Sequence, residues 1–569
     1  MYSDIKVVQI IISLLKQKNI RNIVISPGTR NTALVHSVEN DTFFRCYSFV
    51  DERSAAYFAL GMSEELDEPV CVTCTAATAT CNYFPAIQEA YERNIQLVAL
   101  TADNDRNYMF QTGEQTIDQI NMYGKYVNES INIPLIKDSE EEWVANREIN
   151  KALLELNHRR KGPVQINYNM WYPLERLAKC DIEELPTARN IELLKYPFNW
   201  EKIQEQLLNK KRIIVYLGSG EKNKEVSKLL KRFFEVYNCT VVSDHFSNIR
   251  FEGVVNLKCL GDVLNEKEIS RLLPDLIITF GDVYYSTAKN ILRQCSKDVQ
   301  HWNISEEGVL NDGFKHLTTI YECSPSFFFE NVIKNVNTEN DKLYWNNWNR
   351  IANKIKFPDL KFTNFYTIQQ FIKVLPENSL LHLSILDSIR ITNYFDLHET
   401  IECYANVGAD GIDGTLSTFF GQAMNTREKA FLVIGDLSFL YDINAVFSKL
   451  GKNVRILLIN NFAGAEFHKN FGIEKIPTIN DYIAAGHKTK LEDFCFKGNI
   501  KYLTAKDEET LDKSLKDFVS DKYDGPIILE VFTNAELDAE TLKRYWKINK
   551  TTTVIRLIKN IVKKILRRI

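Results

Sequence analysis

Lys429-Ala430-Phe431-Leu432-Val433-Ile434-Gly435-Asp436-Leu437-Ser438-Phe439 is an apolar run that breaks at a glycine and an aspartate. The next apolar run, Val454–Asn460, is closed by a second asparagine, Asn461. Each has the length and the branched side chains of a buried strand, and each ends in turn-forming residues. A glycine at a strand end lets backbone approach a diphosphate closely, and the helix that follows points its N-terminal N–H groups at the phosphates. An Asp carboxylate and an Asn amide at neighbouring strand ends supply the oxygen ligands that Mg²⁺ prefers. The plainer reading is a βαβ unit that ends in Asp and Asn because they form turns.

The same pattern extends outward over most of the chain. Residues 4–18 predict a helix, Asn22–Ser26 a strand, and Pro27-Gly28-Thr29-Arg30 a turn into another helix. Val70–Thr75, Gln96–Thr101 and Gly162–Asn167 predict further strands. Glu183–Asn199, polar and containing proline, reads as a linker. Arg212–Gly218 and Leu276–Gly281 predict strands of a second segment, and a Lys- and Asn-rich helical stretch near 338–360 leads into a third that closes with a strand at Pro526–Phe532. Short apolar runs alternating with amphipathic ones predict stacked βα units and parallel sheets. The 569 residues leave room for about three to four domains. The expected division is 1–182, 195–345 and 360–548, each a doubly wound parallel-sheet α/β domain, with a tail at 549–569.

The composition, 45% hydrophobic and 25% charged, excludes intrinsic disorder and a multi-span membrane protein. The net charge is −4, without the strongly basic footprint of a nucleic-acid binder, and no nucleic-acid partner is expected. The charge is unevenly placed. Residues 550–569 carry Lys550, Arg556, Lys559, Lys563, Lys564, Arg567 and Arg568 and no acid, so the body is more acidic than the whole. The N-terminus lacks the basic-then-apolar pattern of a signal peptide. The 11 scattered cysteines fit a reducing cytoplasm. Cys71 and Cys74 form a C-x-x-C, yet their neighbours read as a buried strand rather than a redox turn.

The Gly-Asp-x-Ser and Asn-Asn pair resembles the thiamine-diphosphate (ThDP) motif of the pyruvate oxidase and decarboxylase superfamily. By that resemblance Gly435, Asp436, Leu437, Ser438 and Asn461 bind the cofactor, while Asp436, Asn461 and the carbonyl of Ala463 hold Mg²⁺ or Mn²⁺. Such enzymes use a glutamate near the N-terminus that hydrogen-bonds the aminopyrimidine N1′. Phe49-Val50-Asp51-Glu52-Arg53 places Glu52 there; a capping Glu at a helix start is the plainer reading. Further motifs narrow the resemblance: Ser26-Pro27-Gly28-Thr29-Arg30-Asn31-Thr32, Thr101-Ala102-Asp103, Gln115-Thr116-Ile117-Asp118-Gln119 and Gly408-Ala409-Asp410-Gly411-Ile412-Asp413-Gly414. Together they are similar to the 2-succinyl-5-enolpyruvyl-6-hydroxy-3-cyclohexene-1-carboxylate synthase (MenD) branch, over about residues 1–548. That family decarboxylates 2-oxoglutarate on ThDP and adds the acyl carbanion equivalent to isochorismate. The resemblance makes Ile412 the apolar wedge under ThDP. It implies a homodimer or homotetramer, because family sites form between subunits.

Thr29, Arg30, Gln115, Lys289 and Arg390 match substrate positions of the family. Other positions depart from it. Asn104 and Val407 stand where the family has arginines, Leu386 where it has a serine, and Glu466 where it has an isoleucine. Each lost bidentate Arg–carboxylate contact costs on the order of 2 to 5 kcal/mol when desolvated; Arg106 is near enough to Asn104 to compensate in part. The expectation is ThDP- and metal-dependent decarboxylation of a 2-oxo acid with carboligation to an acceptor, with the donor, the acceptor or both altered, and with 2-oxoglutarate a poor donor. The alternatives are a genuine synthase, a non-catalytic ThDP-fold scaffold or regulatory subunit, and a flavin-dependent relative. In the tail Val554, Ile555, Ile558, Ile561, Val562, Ile565 and Ile569 recur at helical spacing between cations. This reads as a basic amphipathic helix that touches a membrane surface, or else as a helix docked on protein. The expected location is cytoplasmic, with the tail peripheral on the inner face of the membrane.

Overall fold

The computed structural model describes residues 1–549 except 221, 257–271, 283–288, 290, 291, 294, 296, 297, 354, 449, 470, 471 and 495–499. Apart from Asn549, the tail therefore lies outside the described residues. The chain forms two compact units, 1–196 with 307–322, and 197–306 with 323–569.

In the first unit, six strands are β1 (Asn22–Ile25), β2 (Arg45–Ser48), β3 (Val70–Cys74), β4 (Leu97–Asp103), β5 (Glu129–Ile133) and β6 (Val164–Asn169). They form one parallel sheet in the order β2-β1-β3-β4-β6-β5. Every residue of β3, β4 and β6 is buried, as expected for a sheet covered on both faces. One face packs on the helices Lys6–Gln17 and Ser139–Leu154 through Ile11, Leu14, Ile149 and Leu153. The other packs on Glu52–Leu66 and Phe84–Glu92 through Ala55, Ala59, Ile87 and Ala90. Each of the larger aliphatics contributes about 1.5–3 kcal/mol by leaving water. Cys71 and Cys74 are both buried and unbridged in β3, and burial pushes the Cys74 thiol up to about 12. The stretch expected as a linker, Glu183–Asn199, contains a strand, β7 (Glu192–Lys195), in the same unit. It carries only four residues and is half-exposed, which is why it reads as polar linker.

In the second unit, β8 (Ile213–Leu217), β9 (Cys239–Ser243), β10 (Val254–Asn256), β11 (Leu276–Phe280) and β12 (Gln300–Ile304) run parallel in the order β10-β9-β8-β11-β12. In the first unit, β13 (Leu317–Glu322) pairs with β7 in parallel. The remaining strands of the second unit are β14 (Leu380–Leu383), β15 (Glu402–Ala405), β16 (Ala430–Gly435), β17 (Val454–Asn460), β18 (Lys501–Ala505) and β19 (Ile527–Phe532). Their order is β15-β14-β16-β17-β19-β18, again all parallel. Counted along the chain, this is the same order, 2-1-3-4-6-5, as in the first sheet. Val433 lies opposite Leu457 and Gly435 opposite Ile459, so β16 and β17 end side by side. That register brings the two asparagines to the glycine and aspartate. Among the described residues no helix is long and apolar enough to cross a membrane.

Candidate active site

At the C-terminal ends of β14, β16 and β17 lies a cleft of about 410 Å³, where ligands collect in open α/β sheets. Its walls include Ile412, Gly435, Asp436, Leu437, Ser438, Asn461 and Ala463. Seven positions drawn from three separate sequence motifs thus converge on one cavity. Asp436 begins the helix Asp436–Tyr441 and is 4% exposed. Its Oδ1 accepts from the Leu437 N–H at 2.7 Å. Its Oδ2 accepts from the N–H groups of Asn461 at 3.1 Å and Phe462 at 2.7 Å. The carboxylate therefore ties the two strand ends together. The His487 ring lies 3.2 Å from the same oxygen.

The two asparagines divide the work. Asn460 is turned into the sheet, where its Nδ2 donates to the buried Glu530 carboxylate at 2.7 Å and to the Thr489 carbonyl at 3.0 Å. Asn461 lines the cleft. Its Nδ2 donates to Asp538 Oδ2 at 3.0 Å, and its Oδ1 accepts from the Ala463 N–H at 3.3 Å. Asp538 is 1% exposed and also accepts from the Asn364 N–H and the Thr533 hydroxyl, each at 2.8 Å. Burial raises its carboxyl to about 7 against these three donors. An amide whose nitrogen is committed in this way must present its oxygen on the other side. Phe462, between Asn461 and Ala463, holds a left-handed backbone at φ 64°.

Ser438 fixes the far wall. Its hydroxyl donates to the Ile412 carbonyl at 2.8 Å, which sets the loop that carries the Ile412 side chain into the cleft. Leu386 leads into the helix Asp387–Thr392 with φ 66° and ψ −117°, a strained backbone for a leucine. Beside Leu386 four charges meet, two carboxylates of the wall and two cations that do not line the cleft. Arg390 Nη1 donates to Asp387 Oδ1 at 2.9 Å and to Glu466 Oε2 at 2.6 Å. Lys469 lies 2.7 Å from Glu466 Oε2 and also pairs with Asp387. Burial raises the Glu466 carboxyl, but the hydrogen bond from Arg390 and the charges of Lys469 and Arg390 outweigh it and hold it below the usual range. Asp387 is held low by the same two cations against its own burial. Lys289, in the same unit, is half-buried and does not line the cleft; burial and Arg293 lower it. Val407 packs against the apolar core beneath β14 and β15.

Within the first unit, Glu52 opens the helix Glu52–Leu66, whose N-cap is the Asp51 side chain. Asn82 Nδ2 donates to Glu52 Oε2 at 3.3 Å. The Pro27–Arg30 turn lies tight on Thr75: a Cβ on Gly28 would meet that side chain at 2.3 Å. Thr29 is exposed at its tip, and the Arg30 N–H donates to Thr75 Oγ1 at 3.2 Å. The Arg30 guanidinium sits 4.7 Å over Trp171 and is lowered by burial. Gln115 is exposed and left-handed at φ 50°, and its carbonyl accepts from Asn104 Nδ2 at 2.7 Å. Asn104 and Arg106 line one smaller cleft. The buried member of that motif is Gln119, whose Oε1 accepts from the strained Ala77 N–H at 2.6 Å.

A divalent cation would suit the donors of the larger cleft: one carboxylate, one amide oxygen aimed by Asp538, and the Ala463 carbonyl. Among the described residues there is no group of three or more His, Cys, Asp or Glu side chains placed to hold a metal, so a mixed set of this kind is what the fold offers. Sequence reasoning passed over Asp538 and Lys469. Asp538 had a signal: it falls on the buried Ala535, Ala539, Leu542 face of its helix, where an acid needs partners.

The family signature of the thiamine pyrophosphate enzyme N-terminal TPP-binding domain matches residues 5–122. The chain is 34% identical over 560 residues to a 2-succinyl-5-enolpyruvyl-6-hydroxy-3-cyclohexene-1-carboxylate synthase of Bacteroides fragilis, spanning 96% of this chain and 99% of that protein. It is 35% identical over 559 residues to the protein of the same name from Bacteroides thetaiotaomicron, with the same coverage. Among solved structures it is similar to the benzoylformate decarboxylase of Polynucleobacter necessarius, at 15% identity and TM-score 0.42 over 94% of this chain and 99% of that one.

Proposed function

Because the chain belongs to the 2-succinyl-5-enolpyruvyl-6-hydroxy-3-cyclohexene-1-carboxylate synthase family of ThDP enzymes, we propose that the cleft walled by Ile412, Asp436, Asn461 and Ala463 is where it binds the cofactor diphosphate. The protein is a ThDP-dependent enzyme that decarboxylates a 2-oxo acid and joins the acyl carbanion equivalent to an acceptor. The observation that carries the siting is the convergence of Asp436, Asn461, Ala463 and Ile412 on one cavity. Asp436, Asn461 and the Ala463 carbonyl would hold Mg²⁺ or Mn²⁺ there. When bound, ThDP supplies the electron sink for decarboxylation.

The chain's own residues do the rest. Asp436 clamps the strand ends, Asp538 aims the Asn461 amide, and Ser438 sets Ile412 as the apolar support of the cofactor. Glu52 would hold a proton at the aminopyrimidine. Its helix starts beside exposed apolar residues, Val50 at 85%, Tyr57 at 43% and Phe58 at 37%, which supports a second copy of the chain over it and hence a homodimer or homotetramer. Thr29, Arg30, Gln115 and Lys289 are the proposed substrate contacts, while Arg390, paired with Glu466 and Asp387, acts on the substrate side only through those carboxylates. The location proposed is cytoplasmic, with the tail of residues 549–569 at the inner membrane surface, a reading supported by its cations and β-branched residues.

The test is CO₂ release by the full chain with ThDP and Mg²⁺ over a panel of 2-oxo acids, with and without isochorismate. Turnover that needs both cofactors supports the siting. A ThDP-loaded protein that releases CO₂ from none of them would return it to the scaffold reading. The second reading is the relatives' own synthase reaction, favoured by alignment over 99% of their length. Efficient turnover of 2-oxoglutarate with isochorismate would establish it.

A further inference from the structure

The charge on the wall of the cleft is of one sign. Asp387, Asp410, Asp436 and Glu466 all line it, and among the described residues that do so there is no lysine or arginine. Arg390 and Lys469 pair with two of those carboxylates and do not themselves line the cleft. Arg390 is 9% exposed and Lys469 3%. Arg390 spans Glu466 with both terminal nitrogens, Nη1 to Oε2 at 2.6 Å and Nη2 to Oε1 at 3.3 Å, and reaches Asp387 with Nη1 at 2.9 Å. Lys469 joins the same two carboxylates. Two cations and two anions thus satisfy each other, the cations buried and the carboxylates partly open to the cleft. Breaking such a set leaves a buried charge unpaired, which opposes its rearrangement.

The larger uncharged side chains of the wall are apolar, Ile385, Leu386, Ile412, Leu437 and Phe467, beside the smaller polar Ser384, Ser388, Ser438 and Asn461. A 2-oxo acid needs its own carboxylate and carbonyl recognised at the reacting end. A second carboxylate at its far end would need a cation of its own, and the two beside this cleft, Arg390 and Lys469, are already committed. An aliphatic far end needs only the apolar wall.

We propose that Glu466 sets donor selectivity, by pairing with Arg390 and Lys469 so that the cleft takes a 2-oxo monocarboxylate with an aliphatic tail and rejects a 2-oxo dicarboxylate. Glu466 acts through Arg390 and is a positioning residue. The inference rests on the reading that this cleft is where the donor is decarboxylated.

The test compares 2-oxopentanoate with 2-oxoglutarate, which differ by a terminal methyl against a carboxylate. Both are offered to the full chain with ThDP and Mg²⁺, as wild type, Glu466→Gln and Glu466→Asp. Wild type is expected to favour 2-oxopentanoate in kcat/KM. Glu466→Gln is expected to move the ratio towards 2-oxoglutarate by about tenfold or more, the scale of one charge-assisted contact, chiefly through KM. Glu466→Asp, which restores the charge, should return the ratio towards wild type. A second measurement does not need turnover: calorimetric binding of glutarate and pentanoate to the same ThDP-loaded proteins, with glutarate gaining in Glu466→Gln alone. An unchanged ratio and unchanged glutarate binding in a folded Glu466→Gln overturn the proposal, as does a wild type that prefers 2-oxoglutarate. If no 2-oxo acid is decarboxylated but glutarate binding rises in Glu466→Gln, the charge device stands and the catalytic reading of the cleft fails.

Discussion

Asn461 and Asp538 are 77 residues apart in sequence and 3.0 Å apart in space, amide nitrogen to buried carboxylate oxygen. The hydrogen bond fixes which way the amide faces: nitrogen to the protein, oxygen to the cleft. Asp538→Ala should leave Asn461 free to turn over, and partners of this kind are worth about 10- to 100-fold in metal affinity. Titration of Mg²⁺ into the ThDP-loaded variant, followed by cofactor fluorescence quenching, measures it. Wild-type affinity in a correctly folded Asp538→Ala would show that Asn461 is oriented by something else.

Asp436→Ala removes an oxygen ligand and also the clamp between the ends of β16 and β17. Mg²⁺-dependent ThDP binding should be abolished. Dialysis against EDTA separates the two effects: if ThDP affinity is the same in wild type and variant, with and without chelator, Asp436 is no metal ligand.

Glu52→Gln keeps the shape of the side chain and the contact with Asn82 but cannot hold a negative charge. The variant should bind ThDP as wild type does. Exchange of the thiazolium C2 proton for deuterium in bound ThDP should slow by about 10²- to 10⁴-fold, the range of a positioned acid or base. Exchange at the wild-type rate would sink the assignment.

His245 gives a pH dependence to the stability of the second unit. Its Nε2 faces two carbonyls, Phe395 at 2.8 Å and Thr392 at 3.2 Å, so that nitrogen must carry the proton. Burial first, and then the charge of Arg250, lower the ring to about 3. Above the ordinary histidine value near 6.5 the ring is neutral both folded and unfolded. As pH falls from there towards 3, the unfolded chain takes up a proton that the folded one refuses. Stability is lost over that window at up to about 1.4 kcal/mol per pH unit. Urea midpoints from pH 7 to pH 4 should fall more steeply for wild type than for His245→Gln; parallel slopes would contradict the neutral, buried ring.

What was legible in the sequence follows from burial. β16 and β17 are buried on both faces, so their apolar runs stand out, and with them came Gly435, Asp436 and Asn461. Edge strands do not announce themselves in this way. β2, Arg45–Ser48, is mostly exposed, and β7 hid inside a stretch taken for a linker. Pairings across long separations were also out of reach. Arg390 with Glu466, 76 residues on, is such a pairing and left no mark in the sequence. The repeated 2-1-3-4-6-5 strand order left no trace as a sequence repeat, because it is a repetition of wiring and not of side chains.

Leu386 sits on the wall of the cleft at φ 66°, where a glycine would rest at no steric cost. A leucine kept in that conformation sets folding and fitness against each other at a single position. A screen that rewards only heat resistance should accept Leu386→Gly, since it relieves the backbone. A screen that rewards turnover should reject the same change, because it strips an apolar side chain from the wall and loosens the turn that starts the Arg390 helix. Efforts to harden this enzyme for use as a carboligation catalyst would therefore do well to leave residue 386 alone and seek their gains elsewhere.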